Sequence, residues 1–183
     1  MTILTLILGL ILLSALAPAL YRKAGRATGW ILALGPLSGF IWFCSLLPEV
    51  TSGQAIYFRL EWFPALGIGL DFYIDGLSLL MGMLITGIGT LIVLYAEGYL
   101  GTHALKGRFF GYLLLFMSAM LGIVTADNLI VLFVFWELTS ISSYLLIGFY
   151  HESEDSRKKA LQALLVTGLG GVALLGGFIL LGI

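Results

Sequence analysis

The chain has 183 residues, of which 60% are hydrophobic and 10% charged, against roughly 25% charged in a soluble domain. A water-soluble fold of this length has too little interior for so much apolar side chain, which excludes a soluble globular protein and leaves lipid as the solvent. The net charge of −1 argues against nucleic acid as a partner, and the single cysteine, Cys44, excludes an internal disulfide.

Taken in chain order, the first apolar run covers 2–21. No Lys or Arg precedes it, whereas a signal peptide starts with a basic segment, so it is expected to be a retained first helix. A span needs about 20 mostly apolar residues. Five further runs qualify, at 29–47, 76–95, 109–125, 128–150 and 160–181. Cys44 falls inside the second and reads as a small apolar packing residue.

The long loop 48–75 holds two aromatic and branched runs, 54–62 and 69–74, separated by Pro64-Ala65-Leu66-Gly67. This pattern predicts an outward-facing β-hairpin, with aromatic side chains suited to the membrane interface. Asp75 precedes the third run as its N-cap. The tight turn 125–128 offers Asp127 or Asn128 as a cap for the fifth run, and Asp127 is the residue assigned here. Small residues four apart, Gly82, Thr86 and Thr90 in the third run, Thr167 with Gly171 and Ala173 with Gly177 in the sixth, predict close helix packing rather than chemistry.

Eight of the nine basic residues fall in the first, third and fifth loops: Arg22, Lys23, Arg26, Lys106, Arg108, Arg157, Lys158 and Lys159. Only Arg59 falls in the second or fourth. The alternation supports six spans and predicts the eight-charge side in the cytoplasm. The fold class is therefore an all-α integral membrane protein of about six transmembrane helices, with a short outer β-hairpin between helices two and three. It divides into 1–75, two helices plus the hairpin loop, and 76–183, helices three to six.

Of the ten acidic residues, nine lie in loops or at helix ends, and Glu137 does not. It falls near the middle of the fifth run, where an ionised carboxylate is expensive and is a functional candidate by default. At 100° per residue Ser140 and Tyr144 cluster with it, and Thr139 and Ser143 extend the same side. A polar stripe around an acid suits a hydrated path or a buried hydrogen-bond network. The bland alternative is a protonated Glu137 that only hydrogen-bonds another helix. Every Lys and Arg lies in a loop or at a helix end, and His103 and His151 lie in loops, so a cationic partner within the membrane is expected from outside the chain. No metal-ligand spacing and no cofactor motif occurs.

The segments Asp71-Phe-Tyr-Ile-Asp-Gly-Leu-Ser78, Arg108-Phe-Phe110, Thr125-Ala-Asp-Asn-Leu-Ile130 and Phe135-Trp-Glu-Leu-Thr-Ser-Ile-Ser-Ser-Tyr-Leu-Leu-Ile147 resemble, in order and spacing, the antiporter-like subunits. That family comprises the large membrane-arm subunits of respiratory complex I and the subunits of Mrp-type cation/proton antiporters. Trp136-Glu-Leu-Thr-Ser140 looks most like the A-type Mrp subunit. The resemblance covers about residues 70–183.

The resemblance implies that Glu137 handles protons and works with a lysine on a later helix. It also implies that the chain holds only the start of the first of two inverted repeats, as a fragment, a split-gene product or part of a longer protein. It further implies protons and Na⁺ (or K⁺) as cargo, other antiporter subunits and membrane lipids as partners, and the cell inner or plasma membrane as location. The alternatives are a proton-pumping subunit of complex I or a related membrane hydrogenase, and a non-transporting assembly fragment.

Overall fold

The computed structural model describes residues 2–63 and 68–181. Six α-helices run in order: α1 (Ile3–Ala24), α2 (Thr28–Thr51), α3 (Gly76–Tyr99), α4 (Lys106–Thr125), α5 (Leu129–Ile147) and α6 (Glu154–Leu180). Two strands, β1 (Ile56–Phe63) and β2 (Ile68–Ile74), lie between α2 and α3. The continuous helical stretch Ile3–Thr51 is long enough to be taken for one span, but it folds back on itself. A 3-10 turn at Gly25–Ala27 reverses the chain, with Gly25 in the left-handed region at φ 52, which glycine enters without Cβ strain. Leu6 and Leu13 of α1 then pack beside Gly39 and Gly35 of α2. The six apolar helices that hydropathy predicts and the hairpin that the aromatic and branched runs predict are thus present.

The packing is nested: α1 lies chiefly on α4, α2 on α3, and α5 between α4 and α6. Small residues make the close approaches. A side chain at Gly107 of α4 would come within 2.9 Å of Pro18 Cα, and one at Gly111 within 2.9 Å of the Ser14 carbonyl oxygen, so the α1 and α4 backbones nearly touch. The predicted small-residue face of α3 packs as expected. Phe43 of α2 fills the space over Gly82, and Thr86 sits fully buried beside Gly39. The Thr86 and Thr90 hydroxyls donate to the Gly82 and Thr86 carbonyls at 2.7 Å, so neither is left unsatisfied.

β1 and β2 pair antiparallel, with Ile56 opposite Ile74 and Arg59 opposite Asp71. Alternation sends Phe72 and Ile74 inward, both buried, and leaves Tyr57 exposed. The predicted separator Pro64–Gly67 lies outside the described residues. The hairpin is fastened to the α4–α5 turn: the Asp127 N–H donates to the Asp71 carbonyl at 2.9 Å, and the Phe72 and Phe135 ring centroids are 6.1 Å apart. At the opposite end the first, third and fifth loops meet. The Tyr21 hydroxyl donates to the His103 carbonyl at 3.2 Å, and the His103 ring lies 5.3 Å from Phe149.

Helix ends differ from the hydropathy reading. α3 runs on to Tyr99, α4 begins at Lys106, and α6 begins at Glu154 rather than 160. Each extra turn is polar and lies beyond the apolar run, so hydropathy does not register it. In α6 Ser153 caps the helix, Glu154 and Asp155 occupy the first turn, and Lys158 and Lys159 pair with them at spacing four. Three of the basic residues assigned to the fifth loop are therefore helical, and Lys106 is fully buried rather than in a loop.

Candidate functional site at the α5–α6 seam

Glu137 is the ninth residue of α5, about 12 Å along a helix about 28 Å long at 1.5 Å per residue. It is half-buried, and among the described residues no side chain or backbone group donates a hydrogen bond to it. Its carboxylate lies against α6. A Cβ built at Gly171 would overlap Glu137 Oε1 and lie 3.2 Å from Cδ and 3.8 Å from Oε2. Eleven residues away on each helix, a Cβ at Gly148 would meet Ala160 Cβ at 3.3 Å. Equal and opposite steps of eleven mean that α5 and α6 run antiparallel, side by side, over about 16 Å.

The polar face does not form a network around the acid. The Thr139 hydroxyl donates to the Trp136 carbonyl at 2.7 Å and Ser140 to the same carbonyl at 3.3 Å. Ser142, missed from the sequence, is fully buried and donates to the Leu138 carbonyl. Each hydroxyl spends its single proton on its own helix and keeps lone pairs free, so this face presents acceptors. Ser143 is half-buried. Tyr144, one further turn along, lines a cleft of about 230 Å³ with Arg108, Tyr112, Gly148, His151 and Arg157 at the basic end of the bundle. Seven residues separate Tyr144 from Glu137, about 10 Å along the helix.

The two assigned caps fare differently. Asp75 caps α3 as expected, accepting from the Ser78 N–H at 2.8 Å, with Ser78 answering onto the Asp75 N–H. The Ser78 N–H, and then its hydroxyl, hold the Asp75 carboxyl below its ordinary 3.8. For α5 the cap is Asn128, not Asp127. Asn128 Oδ1 accepts from the Val131 N–H at 2.8 Å while its Nδ2 donates to the Gly69 carbonyl at 2.7 Å. The side-chain amide accepts and donates at once, which an ionised carboxylate cannot. Asp127 instead uses its backbone N–H on Asp71.

A buried ion pair went unforeseen. Lys106 of α4, 1% exposed at its side chain, pairs with Glu97 of α3, 10% exposed. Its ammonium also donates to the Glu97 and Gly101 carbonyls, at 2.6 and 3.0 Å. Glu97 Oε2 accepts from the Gly29 N–H at 2.8 Å, at the start of α2, which has no side-chain cap of its own. One carboxylate thus serves a lysine and a helix N-terminus together. The available signal was an acid just past one apolar run and a lysine just before the next.

Residues 62–110 match the family described as NADH-ubiquinone oxidoreductase (complex I), chain 5 N-terminus. Residues 126–182 match NADH:quinone oxidoreductase/Mrp antiporter, TM. The A1 subunit of the Na(+)/H(+) antiporter of Staphylococcus haemolyticus is 48% identical over 172 residues, 93% of this chain and 21% of that protein. The chain thus spans about a fifth of the length of that curated relative. Among solved structures, the Mrp complex from Dietzia sp. DQ12-45-1b superposes with a TM-score of 0.83 at 32% identity, over 96% of this chain and 19% of its counterpart. A chain of an archaeal respiratory membrane complex, the membrane-bound sulfane sulfur reductase, shares the fold, with a TM-score of 0.79 at 22% identity over 93% of this chain and 34% of that one. The nested helices, the docked hairpin and these matches agree: the chain is a multi-pass membrane protein that belongs to the antiporter-like subunit family shared by Mrp antiporters and complex I, and it corresponds to an N-terminal part of the A-type Mrp subunit.

Proposed function

We propose that this chain is the N-terminal part of a subunit that exchanges protons for Na⁺ within a larger antiporter complex, and that Glu137 takes up and releases the proton. One observation carries the role of Glu137: a carboxylate halfway along a membrane helix, with no described donor, lying in the seam between two helices. A group so placed is free to change protonation as its surroundings change. The likeness to part of a Na(+)/H(+) antiporter favours Na⁺ over K⁺ as the cargo and other antiporter subunits as partners. The basic end, where the first, third and fifth loops meet, faces the cytoplasm of a cell inner membrane.

A second reading rests on the match of residues 62–110 to a complex I chain: the same acid would then serve a redox-driven pump. The test is Glu137→Gln in the complete assembly, assayed for Na⁺-driven proton exchange in everted vesicles at equal subunit level. Gln keeps the size and a hydrogen-bonding head but cannot exchange a proton. Exchange is expected to fall to background, and near-wild-type exchange would refute the role of Glu137. Exchange sustained without any quinone reductant separates the antiporter from the pump.

A further inference from the structure

We propose that Gly171 is a positioning residue: its missing side chain seats the Glu137 carboxylate in the α5–α6 seam. The inference builds on the proton-handling reading of Glu137 but concerns geometry. Gly168, Gly170, Gly176 and Gly177 of α6 have nothing within 4 Å of a built Cβ. Gly171 is the buried glycine among the described residues of this helix, and the group its Cβ would strike is the carboxylate. The close-packing expectation for the α6 glycines therefore holds at Gly171, and there the space is taken up by a titratable head.

A methyl group at this position cannot share that space. The backbone is fixed by its helix, while the Glu137 side chain turns about three single bonds, so the carboxylate is the part that moves. It would leave the seam for the open side of α6, where Gly168 has free space around it. A displacement of this size at a reacting group costs rate without disturbing the fold, and alanine is the better helix former.

The experiment uses the complete assembly in everted vesicles, with subunit levels checked by blotting. Glu137 is labelled with dicyclohexylcarbodiimide, which adds to protonated carboxyl groups in apolar surroundings, and the label is located by peptide mass spectrometry. Gly171→Ala is expected to lower exchange about ten- to a hundredfold and to change the labelling rate of Glu137 severalfold, while Gly170→Ala changes neither. The double variant Gly171→Ala/Glu137→Asp withdraws the carboxyl by one methylene and is expected to regain several times the exchange of Gly171→Ala alone. Wild-type labelling in Gly171→Ala, or a double variant no better than the single, overturns the proposal. Labelling reports on the seat whether or not Glu137 carries the exchanged proton, so failure of the relay reading and failure of the seat are told apart.

Discussion

At the scale of single residues, the feature with the largest energetic consequence is the Lys106–Glu97 pair. Removing one member leaves the other charged and buried, which costs about 3–5 kcal/mol, whereas removing both is far milder. Lys106→Met is therefore expected to lose about that much stability in detergent unfolding, and Lys106→Met/Glu97→Gln to recover a large part of it. A double variant as unstable as the single would show that the pair is not the source of the loss. Glu137 was legible in the sequence because a lone acid halfway along an apolar run stands out against hydrocarbon. The pair was not, because each partner lies just outside an apolar run and their meeting depends on how α3 turns into α4. Asn128 shows the same limit. Choosing between neighbouring Asp127 and Asn128 as a cap requires knowing that a hairpin carbonyl needs a donor. Asn128→Asp keeps the acceptor for Val131 but loses the donor to Gly69 and sets a second carboxylate beside Asp71. It is expected to destabilise by about 1–3 kcal/mol and to increase hydrogen exchange at the Gly69 to Asp71 strand.

At the scale of elements, the apolar cores of all six helices were legible, because hydrocarbon demands an apolar run of a set length. Their ends were not: the polar last turn of α3 and first turns of α4 and α6 are chosen by caps and ion pairs, which hydropathy does not weigh. The hairpin was legible from its aromatic and branched residues, and the face it buries follows from alternation, with Phe72 inward. Its anchor on the α4–α5 turn was not legible, since that contact joins segments nearly sixty residues apart. The α3 cap makes a pH-dependent prediction. Asp75 sits below its ordinary 3.8 because the Ser78 N–H and hydroxyl stabilise the ionised form. A depressed carboxyl contributes stability above that value, and the contribution is lost as pH falls below it. Asp75→Ala is expected to cost about 1 kcal/mol at neutral pH and to flatten the acid limb of the stability curve. An unchanged acid limb would rule the cap out as its cause.

At the scale of the whole molecule, the gathering of the first, third and fifth loops at one end matches the split of basic residues. Single cysteines at 24, 104 and 156 are expected to react with a membrane-impermeant maleimide only from the cytoplasmic side, and labelling of any one from outside intact cells would contradict the orientation. The nesting of α1 on α4 around α2 on α3 also has a consequence for synthesis. About 100 residues separate the end of α1 from the end of its main partner, so at ~5–20 residues per second α1 waits on the order of 5–20 s beside lipid. That wait is harmless, because the buried residues of α1, Ile3, Leu6, Ile7, Leu10 and Ala17, are all apolar and as content in acyl chains as in protein. Glu97 and Lys106 cannot wait, and they leave the ribosome nine residues apart. The order of emergence thus keeps the two groups that hydrocarbon tolerates least close together in the chain, and leaves the long wait to a surface that it tolerates.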